Sequence, residues 1–277
     1  MDEQSLLKDE RQQFILEELR GQRRVWVSDL SGRLGVSDAT IRRDLRELEE
    51  AGQLRRAHGG AILVEPTRPE LPVVRRMDEH RYLKELIGRA TASLVKDGET
   101  VFISSGSSAA YVARHLVERT GLTVVTNAVN ILDTFLSVDN VTVVMTGGML
   151  RPSELSLIGH ITESALREVR VDKVIFGVRA ISAANGITND YLPEVMTDRA
   201  IIQMAPELII PADHTKLGKT CSAFVAPIEC VATIVTDSGA DPGIVDGIRA
   251  RGIRVIVVED DGVSGIRTLC LDKLSAN

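Results

Sequence analysis

Arginine side chains recur after Ser37 in a pattern that could read a nucleic acid. Apolar residues of this run repeat at helical spacing, and the same helix leaves polar side chains on its opposite face: Thr40, Arg42, Arg43 and Arg46. Arginine is the side chain that most often reads base edges, because its fork of N–H groups matches guanine in the major groove. The spacing therefore predicts a helix that presents arginines to B-DNA.

A second group of small polar residues forms the run Ser104-Ser105-Gly106-Ser107-Ser108, which follows an aliphatic stretch and leads into a helical pattern. A free helix N-terminus offers backbone N–H groups, and neighbouring hydroxyls can complete a cradle for a phosphate-sized anion. The same run is also typical of ordinary helix capping. The other polar residues expected near this run distinguish an anion-binding site from an ordinary helix cap.

The arginine-bearing segment requires a partner helix and a turn to hold it. Apolar spacing predicts a first helix over 28–34, and Gly35 supplies a tight turn because glycine adopts positive φ without steric cost. Ser37 is a favourable N-cap for the second helix, and Gly52 is placed to end it. Two short helices around such a turn predict a helix-turn-helix.

Two short strands are predicted after the helix pair, over 53–56 and 61–64. The resulting hairpin would act as a wing beside the DNA phosphates, which fix register but carry no sequence information. Phosphate contacts are expected from the wing and from the start of the second helix: Arg55, Arg56 and His58, with Ser37 and Thr40. A solvated helical hairpin with ordinary surface arginines is the competing interpretation.

This stretch resembles the DNA-binding domain of the DeoR-type bacterial transcriptional regulators. The matching residues are Leu30, Leu34-Gly35-Val36-Ser37, Thr40-Ile41-Arg42-Arg43-Asp44-Leu45, Leu48, Gly52 and His58-Gly59-Gly60-Ala61. The resemblance implies a winged helix-turn-helix over residues 1–64 that binds double-stranded operator DNA. It weighs against the solvated hairpin, because these motifs are specific to that family.

The composition limits the classes of protein to which the chain can belong. Its 277 residues, 44% hydrophobic but only 3% aromatic, predict one globular domain with an aliphatic core and a small accessory domain. The net charge of −6 argues against a protein coated in nucleic acid. The segment 23–60 nevertheless holds eight arginines against six acids, which is compatible with a local DNA-binding face.

The cysteines and the N-terminus indicate the compartment. Cys221, Cys230 and Cys270 lack the spacing of a metal site and are typical of thiols in a reducing environment. No apolar stretch reaches the roughly 18 residues of a membrane span. Acidic residues at the start, including Asp2 and Glu3, are wrong for a signal peptide. We expect a cytoplasmic protein with no cofactor, no metal and no membrane partner.

From residue 99 onward, short aliphatic runs alternate with helical patterns; the runs lie at 100–104, 122–126, 141–145, 172–178, 207–211, 232–236 and 254–258. Continuous Val/Ile runs are typical of strands buried on both faces, so the alternation predicts an α/β domain with a mostly parallel sheet. The expected organisation is a proline-containing linker over 65–76, a sensor domain over 77–260 that begins with a long helix at 77–95, and a tail over 261–277.

Ligands of such sheets bind beyond the carboxyl ends of the strands. Polar residues follow the predicted strands there: Thr126, Asn127, Gly147, Gly148, Arg179, Asp190 and Lys216. In this rim we expect a phosphate on the amides and hydroxyls of the serine loop, with charge added by Lys216. Asn127 and Asp190 would meet hydroxyl groups of the ligand. The convergence favours a ligand site over plain capping at 104–108.

The resemblance to DeoR-type regulators extends over this region. Their C-terminal sensor domain is similar to ribose-5-phosphate isomerases and binds phosphorylated sugars, so the resemblance implies that fold and that ligand class here. The family's usual Asp-Ser-Gly-Thr-Thr is replaced by a run that keeps the hydroxyls but lacks the carboxylate at Ser104. Arg179 stands where many members have a smaller or acidic residue. The matching positions are Thr126-Asn127, Gly147-Gly148 and Lys216-Leu217-Gly218.

Different classes of function fit these features. The leading hypothesis is a transcriptional repressor of a carbohydrate-metabolism operon, controlled by a phosphorylated sugar and without enzymatic activity. The alternative is a sugar-phosphate isomerase fused to a DNA-binding module. Isomerisation needs an acid–base carboxylate near the anion site, and Asp190, Glu194 and Asp213 remain for that role. A structural DNA-binding protein without a ligand is disfavoured by so polar a rim.

A homo-oligomer, either a dimer or a tetramer, is expected. One recognition helix buries too little surface for tight specific binding. A two-fold dimer instead reads two half-sites about one helical turn apart. The linker and the sensor domain would supply the contacts between subunits.

Overall fold

The structure is a computed structural model that describes residues 8–22, 24–50, 54–57, 59–63, 71–204, 206–260 and 266–269. The chain forms two compact units that divide between Leu71 and Pro72. Gly52, His58, residues 65–70 of the expected linker and most of the expected tail lie outside the described residues.

The first unit is a helix-turn-helix followed by a hairpin, as the sequence predicts. Its elements are α1 (Lys8–Gln22), β1 (Arg24–Trp26), α2 (Val27–Leu34), α3 (Asp38–Glu50), β2 (Leu54–Ala57) and β3 (Gly60–Leu63). The three strands form an antiparallel sheet with the order β1-β3-β2. Gly35 ends α2 at a φ of 62°, which confirms the predicted turn. Ser37 accepts the backbone N–H of Thr40 at 3.2 Å and so caps α3.

The core of the first unit is aliphatic and joins all three helices to the sheet. Ile41 and Leu45 of α3 are fully buried against Ile15 of α1 and Leu30 of α2. The apolar spacing of the sequence therefore faces inward as predicted, and the arginines of α3 are left on the opposite face.

The second unit is built on an eight-stranded sheet with the order β16-β15-β14-β12-β9-β4-β5-β6. Its strands are β4 (Thr100–Ile103), β5 (Leu122–Thr126), β6 (Val141–Met145), β9 (Lys173–Ile175), β12 (Leu208–Pro211), β14 (Thr233–Asp237), β15 (Arg254–Asp260) and β16 (Ile266–Leu269). All neighbouring pairs are parallel except β15 with β16. The predicted mostly parallel α/β fold is confirmed.

Helices cover both faces of this sheet, and two small antiparallel sheets extend from it. The helices are α4 (Val73–Arg76), α5 (Arg81–Ala92), α6 (Ser107–Arg114), α7 (Val129–Phe135), α8 (His160–Glu168), α9 (Val195–Ile202) and α10 (Pro242–Arg249). The small sheets pair β7 (Met149–Arg151) with β8 (Ser156–Ile158), and β10 (Ala180–Ser182) and β13 (Ala223–Ala226) with β11 (Gly186–Asn189).

Alternate residues of the central strands face the two helical layers. Val101 and Ile103 pack beneath α6 and α7, whereas Phe102 faces the opposite cluster with residues of α8, α9 and α10. On another part of the sheet, Ile87 of α5 packs in one cluster with Ile209 of β12. Burial on both faces explains why the strands are continuous Val/Ile runs.

Three expectations need correction. Residues 72–76 belong to the second unit and not to the linker: Pro72 precedes α4, and Val73 and Arg76 of that helix are buried. The expected helix over 77–95 is shorter, because α5 begins only at Arg81 after a residue with positive φ. Part of the expected tail pairs with β15 as the antiparallel strand β16. Among the described helices, none combines the length and apolar character needed to cross a bilayer.

Candidate DNA-binding and effector-binding sites

The outward face of α3 carries the predicted arginines. Arg42, Arg43 and Arg46 are all exposed, and Thr40 is half-buried beside Ser37, with 2.9 Å between their hydroxyl oxygens. Two of these arginines, one helical turn apart, line a concavity of about 500 Å³ between α3 and the wing. The other residues that line it are Val27, Leu45, Arg56, Gly59 and Gly60.

These arginines differ in their ion pairs. Arg43 lies 3.6 Å from Glu47, and Arg56 lies 2.6 Å from Glu49, which also accepts the Arg56 backbone N–H at 2.8 Å. That backbone bond, with the side-chain bond of the same arginine, lowers the pKa of Glu49. Arg42 and Arg46 make no ion pair with any described residue. The side chain of Arg55 and the whole of His58 lie outside the described part of the wing.

One acid of the TIRRDL motif has a structural role. Asp44 is 2% exposed, and both of its oxygens accept hydrogen bonds from the Arg11 guanidinium, at 2.5 and 3.1 Å. The pair ties α1 to α3, so Asp44 does not oppose the DNA-facing charge. A charged group buried in this way needs its partner, since an unpaired buried carboxylate is strongly destabilising.

In the second unit, the predicted effector residues other than Asp190 lie at or just after the carboxyl ends of five adjacent parallel strands. Residues 104–108 follow β4, Thr126 ends β5 and Asn127 follows it, and residues 146–148 follow β6. Arg179 lies after β9 and Lys216 lies after β12. Because β12, β9 and β4 are neighbours, the ends of β12 and β4 lie about two strand spacings apart, roughly 10 Å.

Two predicted hydroxyls are engaged in holding the loops. Ser104 accepts the Gly177 backbone N–H at 2.8 Å and donates to the carbonyl of Ser105 at 3.0 Å. Thr126 donates to the Ile103 carbonyl at 2.7 Å and accepts the Ala128 N–H at 3.0 Å. They therefore fix the spacing of neighbouring strand ends.

The serine loop itself turns sharply into α6. Gly106 has a φ of 126°, and Ser107 and Ser108, the first residues of α6, are 6% and 8% exposed. Ser105 and Gly106 are half-buried at the head of this helix. The loop thus presents the N–H end of a helix at the edge of the sheet, as an anion cradle requires.

Asn127 offers a buried acceptor that no described residue satisfies. Its amide nitrogen donates to the Leu157 carbonyl at 2.9 Å, while its Oδ1 is buried without a partner. Asn127 is only 2% exposed. Because buried polar atoms are nearly always hydrogen-bonded, the Asn127 oxygen is available to a ligand hydroxyl or a water.

Gly147 and Gly148 serve close packing. The Gly147 carbonyl accepts the hydroxyl of the fully buried Thr162 at 2.8 Å. A side-chain carbon on Gly148 would lie 2.0 Å from that same hydroxyl oxygen, and Gly148 has a φ of 129°. This glycine pair lets the loop after β6 lie against α8.

Arg179 and Asp190 are brought together. The guanidinium donates to the Asp190 carboxylate at 2.9 Å, and both side chains remain partly exposed. The sequence assigns Asp190 to a ligand hydroxyl, but in the structure its carboxylate is already paired. A ligand that used Asp190 would have to share it with Arg179.

Lys216 carries a positive charge with no ion pair to a described residue. Burial lowers the pKa of Lys216, and the neighbouring Asp213 opposes that shift. Burial disfavours ionisation of Asp213 as well, but hydrogen bonds from Thr215 and the charges of Lys216 and Lys84 outweigh it and lower the pKa of this carboxyl. An anion placed beside Lys216 would therefore stabilise its charged form.

Sequence reasoning missed Lys84. It is 2% exposed, and its ammonium donates to the carbonyls of Arg76 and Glu79. Burial lowers its pKa, opposed by Asp213. Only the lysine's position on the inner face of a predicted helix, where an ammonium is unexpected, could have signalled it.

A buried polar cluster lies next to these loops. Arg151 donates to Glu194, which also accepts the Ser156 hydroxyl at 2.8 Å, while Asn189 donates to Asp198 at 2.8 Å. Burial raises the pKa of Asp198 well above its usual range, and the nearby charge of Glu194 adds to the shift. Glu194 was one of the carboxylates available to an isomerase, and here it holds Arg151.

We expect the Asp198→Asn variant to be more stable than the wild type near neutral pH and equally stable in acid. The folded state holds a proton on Asp198 to higher pH than the unfolded state, so wild-type stability falls as pH rises from the unfolded pKa to the folded one. Asparagine does not titrate, so the Asp198→Asn variant should not lose stability in this pH range. Thermal unfolding across a pH series should show equal melting temperatures in acid and a variant advantage near neutrality; an advantage independent of pH would contradict the assignment.

Among the described residues, no group of three or more His, Cys, Asp or Glu side chains is placed to hold a metal ion. Cys221 and Cys230 are free thiols, and Cys270 lies outside the described part.

Comparisons with known proteins place both units in one family. Residues 11–67 match the family model of the DeoR-like helix-turn-helix domain. Residues 79–238 match the family model of the DeoR C-terminal sensor domain. A ribose 5-phosphate isomerase A of Methanocaldococcus jannaschii is 17% identical, with a TM-score of 0.37 over 50% of this chain and 55% of that chain. A similarity that low carries no argument about function.

Relatives match over nearly the whole chain. The transcriptional repressor AccR of Agrobacterium fabrum is 34% identical and covers 83% of this chain and 90% of its own. A putative aga operon transcriptional repressor of Escherichia coli O157:H7 is 31% identical over 90% and 93%. The glycerol-3-phosphate regulon repressor of Escherichia coli K12 is 31% identical over 83% and 90%. With both of its units matched, the chain belongs to the DeoR-type family of transcriptional regulators.

Proposed function

We propose that this protein represses a carbohydrate-metabolism operon and that a phosphorylated sugar sets its affinity for operator DNA. The observation that carries the effector proposal is Lys216, which lies half-buried after β12 and makes no ion pair with a described residue. Relatives named for the aga operon and for the glycerol-3-phosphate regulon support a phosphorylated sugar as the class of effector. Operator DNA and sugar phosphates both lie in the cytoplasm, so we propose that location.

The proposed ligand would span the ends of β4 and β12. Its phosphate would lie on the N–H groups and hydroxyls of 105–108, with Lys216 supplying charge. The unpartnered oxygen of Asn127 would accept a sugar hydroxyl. Ser104 is committed to Gly177, so the hydroxyl that replaces the family's usual carboxylate acts as a brace between strands.

The effector response is expected to vanish in a Lys216→Ala, Ser107→Ala double variant. A ligand changes DNA affinity only through its differential affinity for two states, typically by about 5–150-fold. Operator DNA selected from a random pool would be titrated by fluorescence anisotropy, with and without glycerol 3-phosphate or hexose phosphates. The wild type should respond to at least one, whereas the variant should bind operator normally and not respond.

The exposed Lys219 provides a matched control. Lys219→Ala removes the same charge three residues away and should leave the response intact. A wild type that ignores every sugar phosphate would contradict the effector class. A double variant that responds at unchanged ligand concentration would instead contradict the site.

We further propose that the functional protein is a homo-oligomer, because a single recognition helix offers too small a DNA interface. Light scattering at micromolar protein with operator present should give at least a dimer mass. A strictly monomeric mass in the DNA complex would contradict this proposal.

A further inference from the structure

Trp26 is the single tryptophan of the chain, and it lies at the junction of β1, α2 and the wing. It pairs with Gly60 across β1 and β3, and the next residue, Val27, donates its N–H to the Gly59 carbonyl at 2.8 Å. A side-chain carbon on Gly59 would lie 3.5 Å from two carbons of the indole ring. The wing turn therefore rests against the ring.

Trp26 does not itself line the concavity that holds the arginines, but residues next to it do. Trp26 is 42% exposed, and its neighbours Val27, Gly59 and Gly60 all line the space between α3 and the wing. Arg42 and Arg46 line the same space from the helix side. A lone exposed apolar side chain is unremarkable, but this one borders the surface where the free arginines meet the wing.

From this placement we infer that Trp26 is a DNA-backbone contact that also fixes the wing. The flat apolar face of an exposed indole can pack on a deoxyribose of the DNA backbone. Trp26 precedes α2 and lies outside the recognition helix, so it positions the protein and does not read bases. Its contribution should therefore be the same on operator and on unrelated DNA.

The first test uses the unmodified protein, because every tryptophan photon comes from Trp26. Operator DNA is titrated into the full chain while emission and acrylamide quenching are recorded. We expect the emission to change and quenching to fall at saturation. Emission and quenching that are both unaltered by saturating operator would overturn the inference.

The second test removes the ring in two steps. Trp26→Phe keeps a smaller ring against Gly59, whereas Trp26→Ala removes the ring. We expect Trp26→Ala to weaken operator and non-specific binding alike by about tenfold, the loss of one aromatic packing contact, with Trp26→Phe in between. Phe224→Ala, at a 51% exposed ring of the second unit, is the control and should bind as the wild type does.

The two tests fail in different ways. Trp26→Ala affinity within twofold of wild type, or a loss confined to operator, would overturn the backbone role. Circular dichroism and thermal unfolding identify a variant that fails to fold, and for such a variant the quenching experiment on the wild type decides.

Discussion

Replacing Arg151 with alanine is expected to lower the free energy of unfolding by about 3–5 kcal/mol. Arg151 is 5% exposed, pairs with the equally buried Glu194 and stacks on Tyr191 with its guanidinium 4.0 Å from the ring centroid. Removing the cation leaves a buried carboxylate beside Asp198, whose raised pKa reports how poorly that region accommodates negative charge. Denaturant unfolding followed by circular dichroism measures the change.

Arg251 offers a matched control in the same unit. Its ion pair with Glu229 is 3.0 Å long, but the two side chains are 50% and 54% exposed. Arg251→Ala should therefore cost only about 0–1 kcal/mol. The double variant Arg151→Met, Glu194→Leu should recover much of the lost stability, because it removes both charges. If Arg151→Ala unfolds at the same denaturant concentration as Arg251→Ala, the buried pair does not stabilise the fold as argued.

Loss of Arg42 and Arg46 is expected to have the largest effect on DNA binding. Both side chains are exposed, line the concavity and lack ion pairs with described residues, so neither must give up a carboxylate to bind DNA. A lost bidentate contact to guanine costs about 1–3 kcal/mol and relaxes specificity at one base pair. The Arg42→Ala, Arg46→Ala variant should thus lose operator affinity well beyond either single variant.

Arg43→Ala tests the recognition helix from its other side, since this arginine is partly occupied by Glu47. Its effect should be smaller than that of Arg42→Ala. Arg81→Ala, at an exposed position on α5 of the second unit, controls for the loss of one positive charge. Operator affinities would be compared at one salt concentration, because phosphate contacts make them salt-dependent. Unchanged affinity in both Arg42→Ala and Arg43→Ala would refute the assignment of the recognition helix.

The regular elements could be predicted from sequence because their signals are local. Gly35, the cap at Ser37 and the inward row of Ile41 and Leu45 each act within a few residues, and the structure has them where the pattern places them. The strands were predictable for the same reason, since burial on both faces imposes continuous Val/Ile runs.

Long-range pairings could not be predicted from the same pattern. Asp44 counted against the basic character of its segment until its partner Arg11, 33 residues earlier, neutralised it. Asp190 was open to a ligand in the sequence, but Arg179 occupies it in the structure. The partners of a charged side chain depend on tertiary packing, which periodicity does not encode.

The candidate effector site shows the same division. The order of polar residues after successive strands was readable, because parallel topology brings strand ends to one edge. The role of each residue could not be predicted from the sequence. Ser104 and Thr126 hold loops in place, whereas the side-chain oxygen of Asn127 has no partner among the described residues. The burial of Lys84 could not be predicted either, because its backbone partners are set by tertiary packing.

Glu47 and Glu49 give the DNA-binding surface an ion-exchange character. Arg43 and Arg56 meet a phosphate as halves of existing pairs, so the phosphate displaces a carboxylate and releases few counterions. Random DNA, which offers only phosphates, gains little from these two arginines. We therefore expect an acidic protein whose cations are paired in this way to bind weakly to non-specific sites and to leave them quickly during the search for its operator.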